Sequence, residues 1–351
     1  AGSGSISRID GGGLLRVGPD SAGSTPGPIC YGRGGTEPTI SDANLLLGRL
    51  PTGRFGAGAT GLRDTFARRL GTPLGLTPEA AAEAVIRLGN IHMAGAIRMV
   101  SVSLGADPRD FALFAFGGAG PLHACALARE LAIPRVLIPA RPGLTNALGC
   151  VCADLRHDMV RTLNRPLDAA DMDAVAGILA AQEAEGRARV QAAGIALTGI
   201  TVERLAEMQF TGQTHLLRVP LPPGPPTRAD LQTRFEAAYH ARFRVTLPEI
   251  RAALVNLVTA VIGHRPEVDL SRLIDPAGRA AMLDEARTGS RAVWWDAGWQ
   301  ETPVYWRDRL PLAATIHGPA VIEQMDTTIL IPPGDRAEQD GDGNLIVEVA
   351  G

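Results

Sequence analysis

The chain has 351 residues, 45% of them hydrophobic, enough for two or three domains with real cores. A net charge of −3 and a pI near 6.2 give no basic field for nucleic acid or an anionic membrane. No apolar run approaches the roughly 18 residues that a spanning helix needs, and no signal-peptide pattern opens the chain. All 34 Lys+Arg residues are arginine, which removes Schiff-base chemistry, pyridoxal phosphate attachment, a Ser-Lys dyad and a Walker motif from this chain. Four cysteines are no disulfide framework, so a cytoplasmic setting is expected. The first residues, AGSGSI, lack methionine and read as the middle of a strand and turn, which predicts a fragment.

In chain order, Ser5 to Val17 reads as a hairpin turned at Asp10, Gly11, Gly12 and Gly13. Gly18 to Gly35, GPDSAGSTPGPICYGRGG, is too rich in glycine and proline for regular structure and too particular for a linker; an ordered loop against a site is expected. Ser41 or Asp42 is expected to cap a short helix through Leu47 that Gly48 closes, so Asp42 has a structural role available beside a functional one. Thr77, Pro78 and Glu79 open a long helix that Gly105 ends. Val85, Ile86, Gly89, Met93, Ala96, Ile97 and Val100 recur on one face of it, and His92 reads as a hydrogen-bonded helix histidine.

Phe111 to Phe116 is a short unbroken apolar run, read as a strand buried on both faces. It stops at Gly117, Gly118, Ala119 and Gly120. Pro121 then opens a helix to about Ala132, and Arg135 to Ile138 is a second strand. Such a strand, glycine turn, helix, strand unit aims backbone N–H groups at one spot, where a phosphate is favoured; alternatively, the glycines let a helix pack closely on a strand. A dinucleotide fingerprint starting at Gly118 fails, because His123 stands where its third glycine belongs.

Beyond the unit, Thr145 or Asn146 caps a small-residue helix. Cys150 and Cys152 on that helix would put their sulfurs on different faces, so with His157 they read as two buried small residues rather than metal ligands. Asp158 to Leu163 is a strand and Asp168 to Gly194 a helix, with Glu183, Glu185, Arg187 and Arg189 on its solvated surface. Strands at Thr201 to Phe210 and His215 to Pro220, a helix from Thr227 to about Phe243 and a strand at Leu254 to Ile262 follow, broken by the proline-rich Pro222 to Pro226. From Arg291 onward the pattern is strands and tight turns, with tryptophans expected as core anchors.

Three stretches carry a resemblance: VGPDSAGSTPGPICYGRGGTEPTISDANLLLGRL (Val17 to Leu50), FGGAGPLHACALARELAIPRVLIPARPGLTNALGC (Phe116 to Cys150) and GPAVIEQMDTTILIPPG (Gly318 to Gly334). Together they resemble the hydantoinase A / 5-oxoprolinase family, which includes ketone carboxylase subunits of the acetone carboxylase type. The resemblance implies an α/β fold: an actin-like, sugar-kinase-like (ribonuclease H-like) ATPase half over residues 1–165, then a smaller α+β C-terminal domain over 166–351, β-rich from about 250. It implies ATP and Mg²⁺ as cofactors, with Gly117, Gly118, Ala119 and Gly120 at the adenosine part of the nucleotide. ATP would activate a small cyclic amide (hydantoin, 5-oxoproline or a related lactam) for hydrolysis, or a ketone for carboxylation.

The family's DxGGTxTD and GGTS-type segments do not occur in this chain, and AYHARFRV at Ala238 to Val245 replaces its HxxYGY element. The resemblance therefore implies that an N-terminal half is missing, and the chain alone is expected not to turn over substrate. Expected partners are that half and a hydantoinase B-type subunit, in an oligomer; a non-catalytic scaffold is the reading from another class. Asp42 and His123 are the candidate catalytic residues, with local hydrogen bonding of a helix-terminal histidine as the other reading of His123. No metal ligand is assigned within this chain.

Overall fold

A computed structural model of the chain describes residues 2–54, 60–246, 251–269, 277–296 and 298–350. Two compact units emerge: one joins Ala1–Leu148 to Asp269–Gly351, and the other is Gly149–Val268. The expected boundary after residue 165 runs along the sequence, whereas in space the last strands return to the first unit. The reason is apolar: Ile316, Ile322, Ile329, Ile331, Leu345 and Val347 share a core with Ala124, Leu127, Ala128, Val136 and Ile138.

In the first unit the hairpin pairs Ser5–Ile9 with Leu15–Ser21. The Asp10 carboxylate holds its turn, accepting from the N–H groups of Gly12 (2.9 Å) and Leu14 (3.0 Å) and from Arg16 Nε (2.7 Å). Helix Pro78–Leu104 is built as its caps predict: Thr77 Oγ1 accepts from Ala80 N at 3.2 Å, and Gly105 ends it in the left-handed region. Its apolar face is buried at Val85, Ile86, Gly89 and Ala94, but Ala96 and Val100, expected on that face, are exposed.

The strand, glycine turn, helix, strand unit forms as Ala112–Phe114, residues 117–119, Gly120–Glu130 and Arg135–Ile138. Its two strands pair in parallel in a five-stranded sheet, where Leu345–Glu348, Arg336–Gln339 and Thr315–His317 extend it antiparallel. The reading of Phe111–Phe116 as buried on both faces is corrected: Ala112–Phe114 is the sheet's edge strand, and Phe111, Phe114 and Phe116 are exposed. A second sheet orders Thr328–Ile331, Ala320–Glu323, Gly298–Trp306 and Arg287–Trp295. Of its tryptophans, Trp295 is a buried anchor, its indole N–H donating to Thr302 Oγ1 at 3.0 Å, whereas Trp299 is exposed.

In the second unit, Leu155–Pro166, Ala252–His264, Gly199–Phe210 and Leu217–Leu221 form, in that order, an antiparallel sheet. Helices Met172–Ala192 and Arg228–Phe243 each connect two strands across an intervening one. The expected surface charges of the first helix pair at i, i+4: Arg187 with Glu183 (2.8 Å) and Arg189 with Glu185 (2.6 Å). Cys150 and Cys152, expected to be buried, are exposed, since helix Thr145–Cys152 has no buried residue.

Phe210 anchors this unit's core, edge-on to Phe235 (centroids 4.8 Å apart) and Tyr239 (4.7 Å). Phe210→Ala should lower the unit's stability by about 3–5 kcal/mol, seen as faster hydrogen exchange throughout its sheet while the first unit's amides keep their protection.

Candidate functional site

Helix Gly120–Glu130 starts without a side-chain cap, so its first N–H groups depend on whatever lies before them. Gly117 turns the chain at φ 84° and donates to Pro142 O at 2.7 Å, a conformation that strains any residue with a Cβ. A Cβ on Gly118 would sit 3.2 Å from Asp326 O, and Gly118 O accepts from Thr327 Oγ1 at 3.1 Å. The glycines thus serve close approach here: the loop at Met325–Thr328 lies directly on the turn.

A cleft of about 400 Å³ opens at this point. Gly118, Ala119, Leu122 and His123 line it from the turn and helix; Ser3, Tyr31, Ser41 and Asn44 from the N-terminal segments; Met325, Asp326, Thr327 and Thr328 from the C-terminal loop. Sequence reasoning missed the contribution of Asp326, Ser41 and Asn44 to the cleft. Their presence inside the family-like stretches was the signal available.

His123 is buried, and its Nδ1 lies 2.8 Å from Asn90 Oδ1. A carbonyl oxygen only accepts, so Nδ1 carries the proton and Nε2 keeps the lone pair. Burial first, and the Arg49 guanidinium second, hold the imidazole pKa down at about 4. His123 is therefore a neutral acceptor near pH 7, unsuited to being a cation for phosphate.

Asp42 is fully buried and does not line the cleft that His123 lines. Thr39, not Ser41 or Asp42, is the N-cap of helix Ile40–Leu46: its hydroxyl accepts from Asp42 N at 3.3 Å. Asp42 completes the capping box, accepting from Thr39 N (2.9 Å) and Thr39 Oγ1 (2.7 Å). Its carboxylate also accepts from Cys30 N (2.7 Å) and Ile29 N (3.2 Å). It therefore ties the glycine-rich loop to the helix and sets Tyr31 at the cleft. Burial, with the Asp42 charge second, pushes the Cys30 thiol pKa up, so this thiol stays protonated. His92 is exposed and lines another cleft with Arg16 and Ser21.

Among the described residues, no group of three or more His, Cys, Asp and Glu side chains converges to hold a metal ion. No helix among them is long and apolar enough to cross a membrane.

The architecture is mixed α/β: an actin-like ATPase-type domain carrying the glycine turn, with a β-rich C-terminal domain, as the sequence leads one to expect. The hydantoinase/oxoprolinase family model matches residues 1–159, and the hydantoinase/oxoprolinase C-terminal domain model matches residues 169–345. The chain belongs to the hydantoinase/oxoprolinase family.

Caprolactamase subunit alpha of Pseudomonas jessenii is 37% identical over 353 residues, covering 97% of this chain and 50% of that protein. The crystal structure of the ATP-dependent caprolactamase of Pseudomonas jessenii superimposes with a TM-score of 0.74 at 35% identity, covering all of this chain and 52% of that one. A nucleotide-free acetone carboxylase structure gives a TM-score of 0.78 at 28% identity, over 99% and 52%. The chain spans about half the length of curated relatives such as caprolactamase subunit alpha and the acetone carboxylase beta subunit.

The buried neutral histidine has a pH consequence. Unfolded His123 titrates near its usual 6.5 and folded His123 near 4, so below pH 6.5 the unfolded state binds the extra proton. Stability should fall progressively from pH 6.5 to about 4, by roughly 3 kcal/mol from this residue alone. His123→Gln should flatten that part of the profile, measured by urea unfolding at a series of pH values.

Proposed function

We propose that this chain forms the nucleoside side of an ATP-dependent enzyme that hydrolyses a cyclic amide. One observation carries the reading: the three family-like stretches, 17–50, 116–150 and 318–334, converge from three parts of the chain on one cleft at the glycine turn. The likeness to the ATP-dependent caprolactamase of Pseudomonas jessenii supports the substrate class.

In this proposal Gly117, Gly118, Ala119 and Gly120 take the adenosine part of ATP: Gly118 and Ala119 line the cleft, and nothing lies within 4 Å of the place a Cβ on Gly117 would take. His123 offers Nε2 as an acceptor to a donor group of nucleotide or substrate. Asp42 acts as a positioning residue, through the loop that carries Tyr31. When bound, ATP would supply a phosphoryl group to the amide oxygen, making the carbonyl carbon open to water. Mg²⁺ would arrive with the nucleotide's phosphates, as the described residues offer it no cage.

The half-length coverage of relatives points to the remaining phosphate contacts coming from a further polypeptide stretch, and the subunit names of the relatives point to a multi-subunit assembly, with a hydantoinase B-type partner in our reading. Division of labour along the sequence, with an ATPase part over 1–165 and a C-terminal domain over 166–351, belongs to the same proposal. So does a cytoplasmic setting, for which the four free cysteines speak. The second reading, a ketone carboxylase subunit, is favoured by the higher TM-score to acetone carboxylase. It predicts ATP consumption in the assembled enzyme that needs bicarbonate and a ketone rather than a lactam.

Thermal unfolding with excess Mg-ATP or ADP tests the nucleotide site. Ligand at about 100 times its dissociation constant should stabilise the chain by about 2.7 kcal/mol, and Gly118→Val should abolish the shift. A wild-type chain that melts identically with and without nucleotide would remove the adenosine site from this cleft.

A further inference from the structure

Beside the cleft lie two adjoining hollows of about 340 and 440 Å³, which share Arg49, Glu83, Asn90 and Ala126 as lining. Only Leu122 among the described residues lines both the first hollow and the cleft. Helical spacing builds the two long walls: Leu122, Ala126 and Arg129 recur on helix Gly120–Glu130, and Glu83, Arg87 and Asn90 on helix Pro78–Leu104. Trp295, Leu330, Pro332 and Pro333 add an apolar side to the first hollow.

Arg49 is the unmet group here. Its Nε is buried without a hydrogen-bond partner, and its guanidinium forms no hydrogen bond or ion pair with any described residue. Its one neighbour of note is the Trp295 ring, with the centroid 6.0 Å away. Most other charges of the lining are engaged: Arg129 pairs with Asp335 at 2.6 Å and Glu130 with Arg98 at 3.1 Å, while Arg87 and Asp296 are exposed. Glu83 is half engaged, since Oε2 accepts from Trp294 Nε1 at 3.1 Å and Oε1 accepts from no described residue. Asn90 gives its Oδ1 to His123, and its Nδ2 donates to no described residue.

A partly buried guanidinium without a partner is costly until an anion completes it, and its planar fork suits a carboxylate. Glu83 sets a second condition, because its charge repels a phosphate or a dicarboxylate and attracts an amine. We propose that these hollows form a second small-molecule site, for an aliphatic amino acid in its zwitterionic form. Its carboxylate sits on Arg49 and Asn90 Nδ2, its ammonium at Glu83 Oε1, and its carbon chain against Leu122, Trp295 and Pro332.

Hydrolysis of a cyclic amide yields such a molecule. The C–N bond breaks, the water oxygen goes to the carbonyl carbon to give the carboxylate, and both water hydrogens go to nitrogen to give the ammonium. The ligand's place as a reaction product rests on the lactam reading; the pocket's chemistry stands without it. Asn90 connects the two sites, since the amide that meets the carboxylate also orients His123 at the cleft.

The test is isothermal titration calorimetry of the whole chain, without nucleotide, against 6-aminohexanoate, hexanoate, hexylamine and inorganic phosphate. 6-Aminohexanoate is expected to bind at one site, roughly tenfold or more tighter than hexanoate or hexylamine, and phosphate is expected not to displace it. Arg49→Gln should weaken that binding by roughly tenfold or more, whereas Arg68→Gln, at an exposed arginine elsewhere, should leave it unchanged. If Arg49→Gln fails to fold, Glu83→Gln carries the result: its amide oxygen still accepts from Trp294, and the preference for 6-aminohexanoate over hexanoate should disappear. No binding, binding indifferent to both substitutions, equal binding of hexanoate, or displacement by phosphate overturns the proposal. Amino acid binding without a nucleotide-dependent melting shift would keep this pocket and remove the ATP reading; the reverse result would keep the ATP reading and remove this pocket.

Discussion

The first unit depends on one constraint: helix Gly120–Glu130 is buried along most of its length, so its polar groups must find partners from distant chain segments. His123 finds Asn90, and the Cys125 thiol lies 3.5 Å from Leu330 O. Arg129 pairs at 2.6 Å with Asp335, whose same oxygen accepts from Ala350 N at 2.8 Å. Asp335 is almost entirely buried, so losing Arg129 would leave a carboxylate short of its cation, the situation in which a buried ion pair matters most. Residues about 200 positions apart are in this way required by one helix, and the C-terminal strands are part of the glycine-turn core.

A second buried carboxylate performs the corresponding service for the loop. Asp42 gathers three backbone N–H groups and one hydroxyl, from Ile29, Cys30 and Thr39, around a charge with no solvent. Hydrogen bonds to an ionised acceptor in such surroundings are roughly twice as strong as neutral ones. That is why a stretch with this much glycine and proline holds one conformation. The loop's order is a consequence of a capping box that reaches outside its own helix.

Elements with local causes were legible in the sequence. Thr77, Pro78 and Gly105 marked both ends of the long helix, and the glycine turn with Pro121 marked the start of the central one. What escaped reading was long-range. Thr39 displaced Ser41 and Asp42 as the cap because Asp42 at the third helical position could return the bond, a reciprocal geometry that needs both residues at once. Phe111–Phe116 looked like an interior strand because its composition is that of one; only the sheet order shows which neighbour it lacks. The place of Asp326 at the cleft had only its family-like stretch as a signal, since nothing local links it to a turn more than 200 residues earlier.

Under the proposed function, the cleft's composition decides which end of a nucleotide would suit it. Among the described residues its polar lining combines hydroxyls, an amide, a neutral histidine and one carboxylate, Asp326, and contains no arginine, although the chain has 34 basic residues, all arginine. A helix N-terminus supplies only about half a positive charge, and Asp326 opposes it. Such a site favours the hydrogen-bonding, uncharged nucleoside and disfavours a polyanionic triphosphate tail, whose neutralisation takes cations. Arg49, half-buried nearby with its guanidinium 6.0 Å from the Trp295 ring centroid, does not line the cleft: burial lowers its pKa to about 10, Glu83 opposes that shift, and its charge helps keep His123 neutral. By its polarity the cleft is thus a site for one end of such a ligand, its uncharged and hydrogen-bonding end.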